Sequence, residues 1–348
     1  MIASDEATLN LTLPAVQLRA LARRMLVPAL AGLAVGAFLL AGHGHLGTVT
    51  DALRRALHAN PAWVLAGVAF EGLSLAAYVA LLSLVAGRAS ERIGLRESAQ
   101  ITLAGAAATR LLPTAGAGGA ALTVWTLRRA GLRSGAAVST LLTFFVLLYA
   151  IFLGGVVVAG AWLGLGGVRG PEALALGSAG VALLAVAACL ALAALSAGGA
   201  RGRELPVGPS RVRRGAGMLG VAVHRAVRLL AGADVRLAGA LGYWLFDAAV
   251  LVAMLHAFGT PPALPVIALA YLLGQVANTI PLPGSVSGGM AGVLIAFHVP
   301  AGLALPAVLA YRTIAVWLPT PPALGAIPAL RRTVARWSRE AVAAGPAA

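Results

Sequence analysis

Asn278-Thr279-Ile280-Pro281-Leu282-Pro283-Gly284-Ser285-Val286-Ser287-Gly288-Gly289 interrupts an apolar stretch that runs from about 266 to 298. Proline and glycine at this density break a helix, yet the flanks are as apolar as lipid. A broken helix at membrane depth is tolerated only where the freed backbone is buried in protein or lines a cavity. The stretch is therefore the first candidate for a site. It also has a counterpart. At one fixed offset, Pro283, Gly288 and Gly289 repeat as Pro113, Gly118 and Gly119, and both copies read P-x-x-x-x-G-G.

The composition outside this stretch fits a polytopic helical membrane protein. Of 348 residues, 60% are hydrophobic and 11% charged, where a soluble domain carries roughly a quarter charged residues. Mean hydropathy is +0.90. Apolar runs near the length of a bilayer crossing recur along the chain. The alternating segments of a transmembrane β-barrel are absent from the sequence. All 26 basic residues are arginine, and the formal charge is +15. The arginines cluster between apolar runs, which marks them as topology determinants and anionic-lipid contacts and excludes nucleic acid as the partner. The single cysteine, Cys189, rules out an intramolecular disulfide and a cysteine-rich metal site.

The expected organisation is a cytoplasmic N-terminal segment (1–24), one transmembrane domain (25–330) and a cytoplasmic tail (331–348). Full spans are expected at about 25–42, 62–87, 134–163, 172–197, 237–258 and 303–327. The first is too long for the apolar core of a signal peptide and is followed by His43-Gly44-His45, so it reads as retained. The halves 98–112 and 114–127 are each too short to cross about 30 Å of hydrocarbon at about 1.5 Å per residue. The same holds on both sides of the break at 278–289. Both pairs are expected to be re-entrant hairpins, which gives six spans. Eight spans result if the hairpins cross. A basic loop is expected over 198–236.

Arginine placement favours the re-entrant threading. It puts Arg54, Arg55 and Arg169 on one side, Arg110 and Arg312 at membrane depth, and every other arginine on the opposite, cytoplasmic side with both termini. Three spans then separate the two hairpins, so they enter from opposite faces. The units 62–163 and 237–327 become an inverted repeat.

The half-helices that follow each Pro and Gly cluster would aim free N–H groups and a positive dipole end at the midplane, which suits a phosphate or carboxylate. The structural alternative is that the glycines serve close helix packing. Arg110 and Arg312 supply counter-charge; an arginine at this depth costs at least about 2.5 kcal/mol and marks function. Glu71 and Asp247 are the acids inside spans. They are expected to pair with the arginines or to carry protons. Asn278, Tyr78, Tyr243 and Tyr311 would complete a polar cavity. The G-x-G-x-x-A match at Gly116–Ala121 lacks a preceding strand and a following acid, so no dinucleotide fold is expected. His43 and His45 have no third metal ligand. No catalytic constellation, metal or cofactor is expected.

Pro281-Leu282-Pro283-Gly284, Ala310-Tyr311-Arg312, Trp317-Leu318-Pro319 and Leu330-Arg331-Arg332 together resemble the lysylphosphatidylglycerol synthase transmembrane domain family, also called flippase-like. Leu111-Leu112-Pro113-Thr114-Ala115-Gly116-Ala117-Gly118-Gly119, followed by Leu127-Arg128-Arg129-Ala130-Gly131-Leu132, is similar to that family's first-half motif. The resemblance covers about 20–335. It implies a bacterial inner-membrane protein that moves or handles an anionic phospholipid or lipid-linked headgroup. In bifunctional relatives the domain flips aminoacylated phosphatidylglycerol. Many members carry Glu shortly after the second Pro-Gly motif, where this chain has Met290. No acyltransferase-like domain follows Ala348, so this chain is not expected to make aminoacyl lipid. The alternative expectation is a scaffold or accessory subunit that docks a lipid-modifying enzyme through 198–236. Oligomeric state is open.

Overall fold

In a computed structural model the described residues are 59–111, 117–166, 170–199, 210–232, 234–277 and 284–343. The expected N-terminal segment, the span at 25–42 and the tips of both breaks lie outside them. The described residues are helical. Helix α1 covers Pro61–Ala86, α2 Leu95–Leu111, α3 Ala117–Arg129, α4 Ser134–Leu165 and α5 Glu172–Gly199. Helix α6 covers Ser210–Ala231, α7 Arg236–Phe258, α8 Leu264–Val276, α9 Ser285–Ala296, α10 Ala301–Trp317 and α11 Thr320–Ala343.

Five helical segments are long and apolar enough to cross a membrane: α1, α4, α5, α7 and the stretch Ala301–Glu340 that α10 and α11 share. They fall on five of the expected spans. Helix α5 turns Val181, Leu183, Leu184 and Leu195 outward. Such a surface is unfavourable in water and ordinary against lipid. Helices α8 and α9 have 13 and 12 residues, about 20 Å at most, which is too short for a crossing.

Each start and stop has a local cause. The Asn60 side chain accepts from the Ala62 N–H at 3.0 Å, and Pro61 occupies the first turn of α1. Gly284 caps α9 with φ of 82°, a left-handed conformation that favours glycine. Helix α9 therefore begins at Ser285, inside the Pro and Gly cluster. The Gly288 N–H closes its first turn on the Gly284 carbonyl at 2.8 Å.

Helices α1 and α7 pack antiparallel along their length. The Asn60 N–H donates to the Ala257 carbonyl at 3.0 Å, Gly67 faces Met254, Ser74 Oγ donates to the Tyr243 carbonyl at 3.1 Å, and Gly239 abuts Leu81. Small residues let these backbones approach, which is how helices associate in a bilayer that gives no hydrophobic drive between them. Two apolar cores form at opposite ends of this pair. One joins α8, α9 and α10 to the far half of α4 through Phe152, Val156 and Leu163. The other joins α2, α3 and α11 to the near half of α4 through Leu141, Phe144 and Leu147.

Both short-helix pairs close through glycine. A Cβ on Gly119 would lie 2.5 Å from Thr109 Oγ1 and 2.8 Å from the Gly105 carbonyl oxygen. In the other pair a Cβ on Gly289 would lie 3.0 Å from Ala277 Cβ and 3.3 Å from Gly274 Cα. The second glycine of each repeated motif thus serves close packing. Gly119→Ala is expected to lower stability by about 1–3 kcal/mol, because a backbone oxygen cannot rotate away. Gly177→Ala, which meets nothing within 4 Å, is the control and should be neutral or stabilising. Equal thermal unfolding of the two variants would contradict the packing role.

Helix extends into two regions expected outside the spans. The region 198–236 is not a loop throughout, since α6 occupies Ser210–Ala231 and packs on α4 and α5. Its buried positions Ala222, Val223 and Ala226 share a stripe with Leu219 and Leu229, and Arg225 and Arg228 are exposed on the other faces of an amphipathic helix. The expected last span and tail are also divided differently. The chain breaks at Leu318-Pro319, and helix continues from Thr320 through Ala343, into the segment expected as the cytoplasmic tail. Leu330, Val334 and Trp337 bury this helix in the core that holds α2.

The α7 start is held by charge. Arg236 Nε and Nη2 each donate to Asp234 at 2.7 Å, and Arg88, just past the end of α1, lies 3.8 Å from the same carboxylate. The side-chain hydrogen bonds from Arg236 hold the Asp234 carboxyl well below the usual carboxylate range. A carboxyl whose folded value is depressed contributes stability that is present above its unfolded value, near pH 4, and lost as pH falls from there toward the folded value. The melting temperature should therefore fall below about pH 4. Asp234→Asn should melt lower at pH 7 and show a smaller drop in acid; identical pH profiles would refute the link.

Candidate functional site

The acids of α1 and α7 are both buried, Glu71 at 8% and Asp247 at 6% exposure. Ser74 faces Tyr243 and Gly67 faces Met254 in opposite order along the pair. This register brings Glu71 and Asp247 to the same level of the α1/α7 crossing. Each acid belongs to a different polar cluster there.

Glu71 lines a cavity of about 410 Å³ between α1, α2, α3, α4, α7 and α10. Its polar wall includes Ser74, Tyr78, Thr102, Thr109, Thr123 and Tyr243; its apolar wall includes Ile101, Phe144 and Phe145. Gly105 and Gly119 bring the backbones of α2 and α3 to its edge, and Ala315 and Pro319 close it from the α10 side. The Gly119 N–H donates to Thr109 Oγ1 at 3.2 Å, and Thr123 Oγ1 donates to the Gly119 carbonyl at 2.9 Å. The Thr102 hydroxyl is buried without a hydrogen-bond partner among the described residues. Buried hydroxyls are rarely left so.

Asp247 anchors the second cluster. Tyr271 Oη donates to its Oδ2 at 2.6 Å, Gln275 Nε2 to the same oxygen at 3.2 Å, and Tyr311 Oη to Oδ1 at 3.2 Å. Gln275 Nε2 also donates to Tyr311 Oη at 3.0 Å. Three helices, α7, α8 and α10, are thereby tied at one carboxylate. Tyr271 and Tyr311 are each 1% exposed, so the network is dry. Arg312 follows Tyr311 on α10. It is half-buried and an electrostatic neighbour of Asp247. Among the described residues the Asp247 carboxylate is held by phenol and amide hydrogen bonds, with no ion pair to it.

The candidate residues separate accordingly. Gly119 and Glu71 meet at the cavity. Tyr311 and Asp247 meet in the dry network, with Arg312 beside it. Gly118 is buried at the start of α3, Gly289 is engaged in the α8/α9 contact, and Gly288 faces open space. Arg110 lies in the last turn of α2, but its side chain lies outside the described residues, as do Pro113, Asn278 and Pro283. Tyr271, Gln275 and the cavity threonines were not singled out in the sequence. The available signal was Tyr271 and Gln275 one helical turn apart in an apolar run that leads into the break.

The family described as lysylphosphatidylglycerol synthase TM region matches residues 24–323. No curated protein matches the chain.

Proposed function

This chain belongs to the lysylphosphatidylglycerol synthase TM region family, and from that premise we propose that it moves an anionic phospholipid or lipid-linked headgroup across the bilayer. The observation that carries this reading is the Glu71 cavity, which is polar at its wall and lies inside a multi-pass membrane protein. Its volume of about 410 Å³ suits a headgroup, whose acyl chains would stay in lipid. Helices α2/α3 and α8/α9 serve as the two re-entrant hairpins, and α1 and α7 as the equivalent first helices of an inverted repeat. Their antiparallel pairing and the matched level of Glu71 and Asp247 support that symmetry. Gly119, beside Gly118, holds the start of α3 against α2 at the cavity edge, while Arg110 and Arg312 supply positive charge to the phosphate. The α9 end, with Asn278, Pro283, Gly288 and Gly289, serves the opposite face in the same way. In this reading both termini and α6 lie on the cytoplasmic side of the plasma membrane.

The test is photo-crosslinking with phosphatidylglycerol that carries a photoactivatable headgroup. Labels are expected within 102–123 and 310–319. Labels confined to α5, the most lipid-exposed span, would remove the cavity from the mechanism.

A further inference from the structure

We propose a second anion site, separate from the Glu71 cavity, in the groove where α11 lies along α2. Its ligand is a phosphate-bearing group. The groove has a volume of about 270 Å³ and takes Arg96 and Gln100 from α2 and Arg332, Thr333, Arg336 and Arg339 from α11. Along α11 it lies about 15 Å from Pro319 of the other cavity; along α2 its Gln100 directly precedes Ile101, where the wall of that cavity begins.

Three observations converge on it. First, four arginines line one small groove. Topology requires arginines on this side of the membrane, but it does not require that they converge. Like charges one turn apart on a helix repel, so Arg332 and Arg336 gain from an anion held between them. Secondly, the protein's own acids neutralise this charge only loosely. Arg336 Nη2 is 3.7 Å from Glu97 Oε1 and Nε is 3.7 Å from Glu340 Oε1, and the Arg336 side chain stays 48% exposed. Thirdly, the floor is polar and buried. Thr333 Oγ1 donates to Gln100 Oε1 at 2.8 Å, with the two residues 7% and 8% exposed. The Gln100 carboxamide makes no other hydrogen bond among the described residues, which leaves its N–H groups to a ligand. Planar guanidinium donors around an amide donor match the oxygens of a phosphate.

The phosphate can come from an anionic phospholipid headgroup or from a free polyphosphate, and the experiment separates the two. Full-length protein in detergent is titrated with phosphatidylglycerol, phosphatidylcholine and pyrophosphate. Retained lipid is read by native mass spectrometry and thermal unfolding by tryptophan fluorescence. The variants are Arg332→Gln/Arg336→Gln and, with less risk to folding, Arg339→Gln. Phosphatidylglycerol retained over phosphatidylcholine, and reduced at least fivefold in the double variant, supports the site with lipid as its source. A pyrophosphate-dependent rise in melting temperature that the variants lose, without selective lipid retention, supports it with a free polyphosphate as the source. If the double variant does not fold, a loss of either effect in Arg339→Gln carries the same meaning. Retention and melting shifts that are equal in wild type and folded variants, or absent from wild type, overturn the proposal.

Discussion

Asp247→Ala is expected to destabilise the protein by about 2–4 kcal/mol, the largest stability effect of any substitution considered. The carboxylate accepts from Tyr271, Gln275 and Tyr311 at 2.6–3.2 Å. Removing it leaves these donors to satisfy themselves in a dry site. A single buried donor without a partner costs about 1–3 kcal/mol. Interhelical hydrogen bonds within bilayers average lower, near 0.6 kcal/mol, because the unfolded state in the membrane also finds partners. The estimate therefore falls well short of three full penalties. Asp247→Asn keeps one carbonyl acceptor for Tyr271 and should lose less. Thermal unfolding followed by tryptophan emission is a suitable readout, since Trp244 meets the Tyr271 ring edge-on with centroids 6.3 Å apart. If the alanine variant melts at or above the asparagine variant, the network is not what ties α7, α8 and α10.

Arg312→Ala should act on transport more than on stability. The side chain is half-buried on α10 beside the Asp247 network, one turn before Ala315 at the cavity wall. Holding it at this depth costs at least about 2.5 kcal/mol, so its removal relieves an energetic burden as it loses contacts. A lipid phosphate crossing the same level loses one of the two counter-charges proposed for it. A tenfold or greater fall in translocation rate corresponds to a barrier raised by about 1.4 kcal/mol or more. Arg312→Lys keeps the charge without the planar fork and should retain part of the rate. Melting temperature near wild type with transport lost is the expected pair of results. Transport retained with stability lost would make Arg312 a structural residue.

The main frame of the fold could be read from the sequence because it rests on apolar run length and on proline and glycine placement. The runs at 62–87, 134–163, 172–197 and 237–258 became α1, α4, α5 and α7, and the helices ended at the breaks expected near 113 and 283. Helix α6 was hidden by its arginines. Their density made 198–236 read as a polar loop, although Leu219, Ala222, Val223 and Ala226 already had helical spacing. The same masking hid the continuation of α11 past 331, where Val334 and Trp337 alternate with arginines. Glu71 and Asp247 stood out as acids in apolar runs, but their partners did not. Tyr271, Gln275 and Tyr311 come from separate helices, and only the fold brings them to one carboxylate. The repeated glycine motif carried a mixed signal. Gly119 and Gly289 are committed to helix packing in both copies, which leaves the polar cavity, rather than the glycines alone, to carry the functional reading.

Lipid translocation by the purified protein in sealed vesicles tests the central claim most directly. Wild type is reconstituted with headgroup-labelled phosphatidylglycerol, and outer-leaflet label is quenched chemically. The account predicts that label is lost from both leaflets faster than in protein-free vesicles, and that Arg312→Ala returns the rate to the protein-free level. Wild-type protein that moves no more lipid than protein-free vesicles would contradict it.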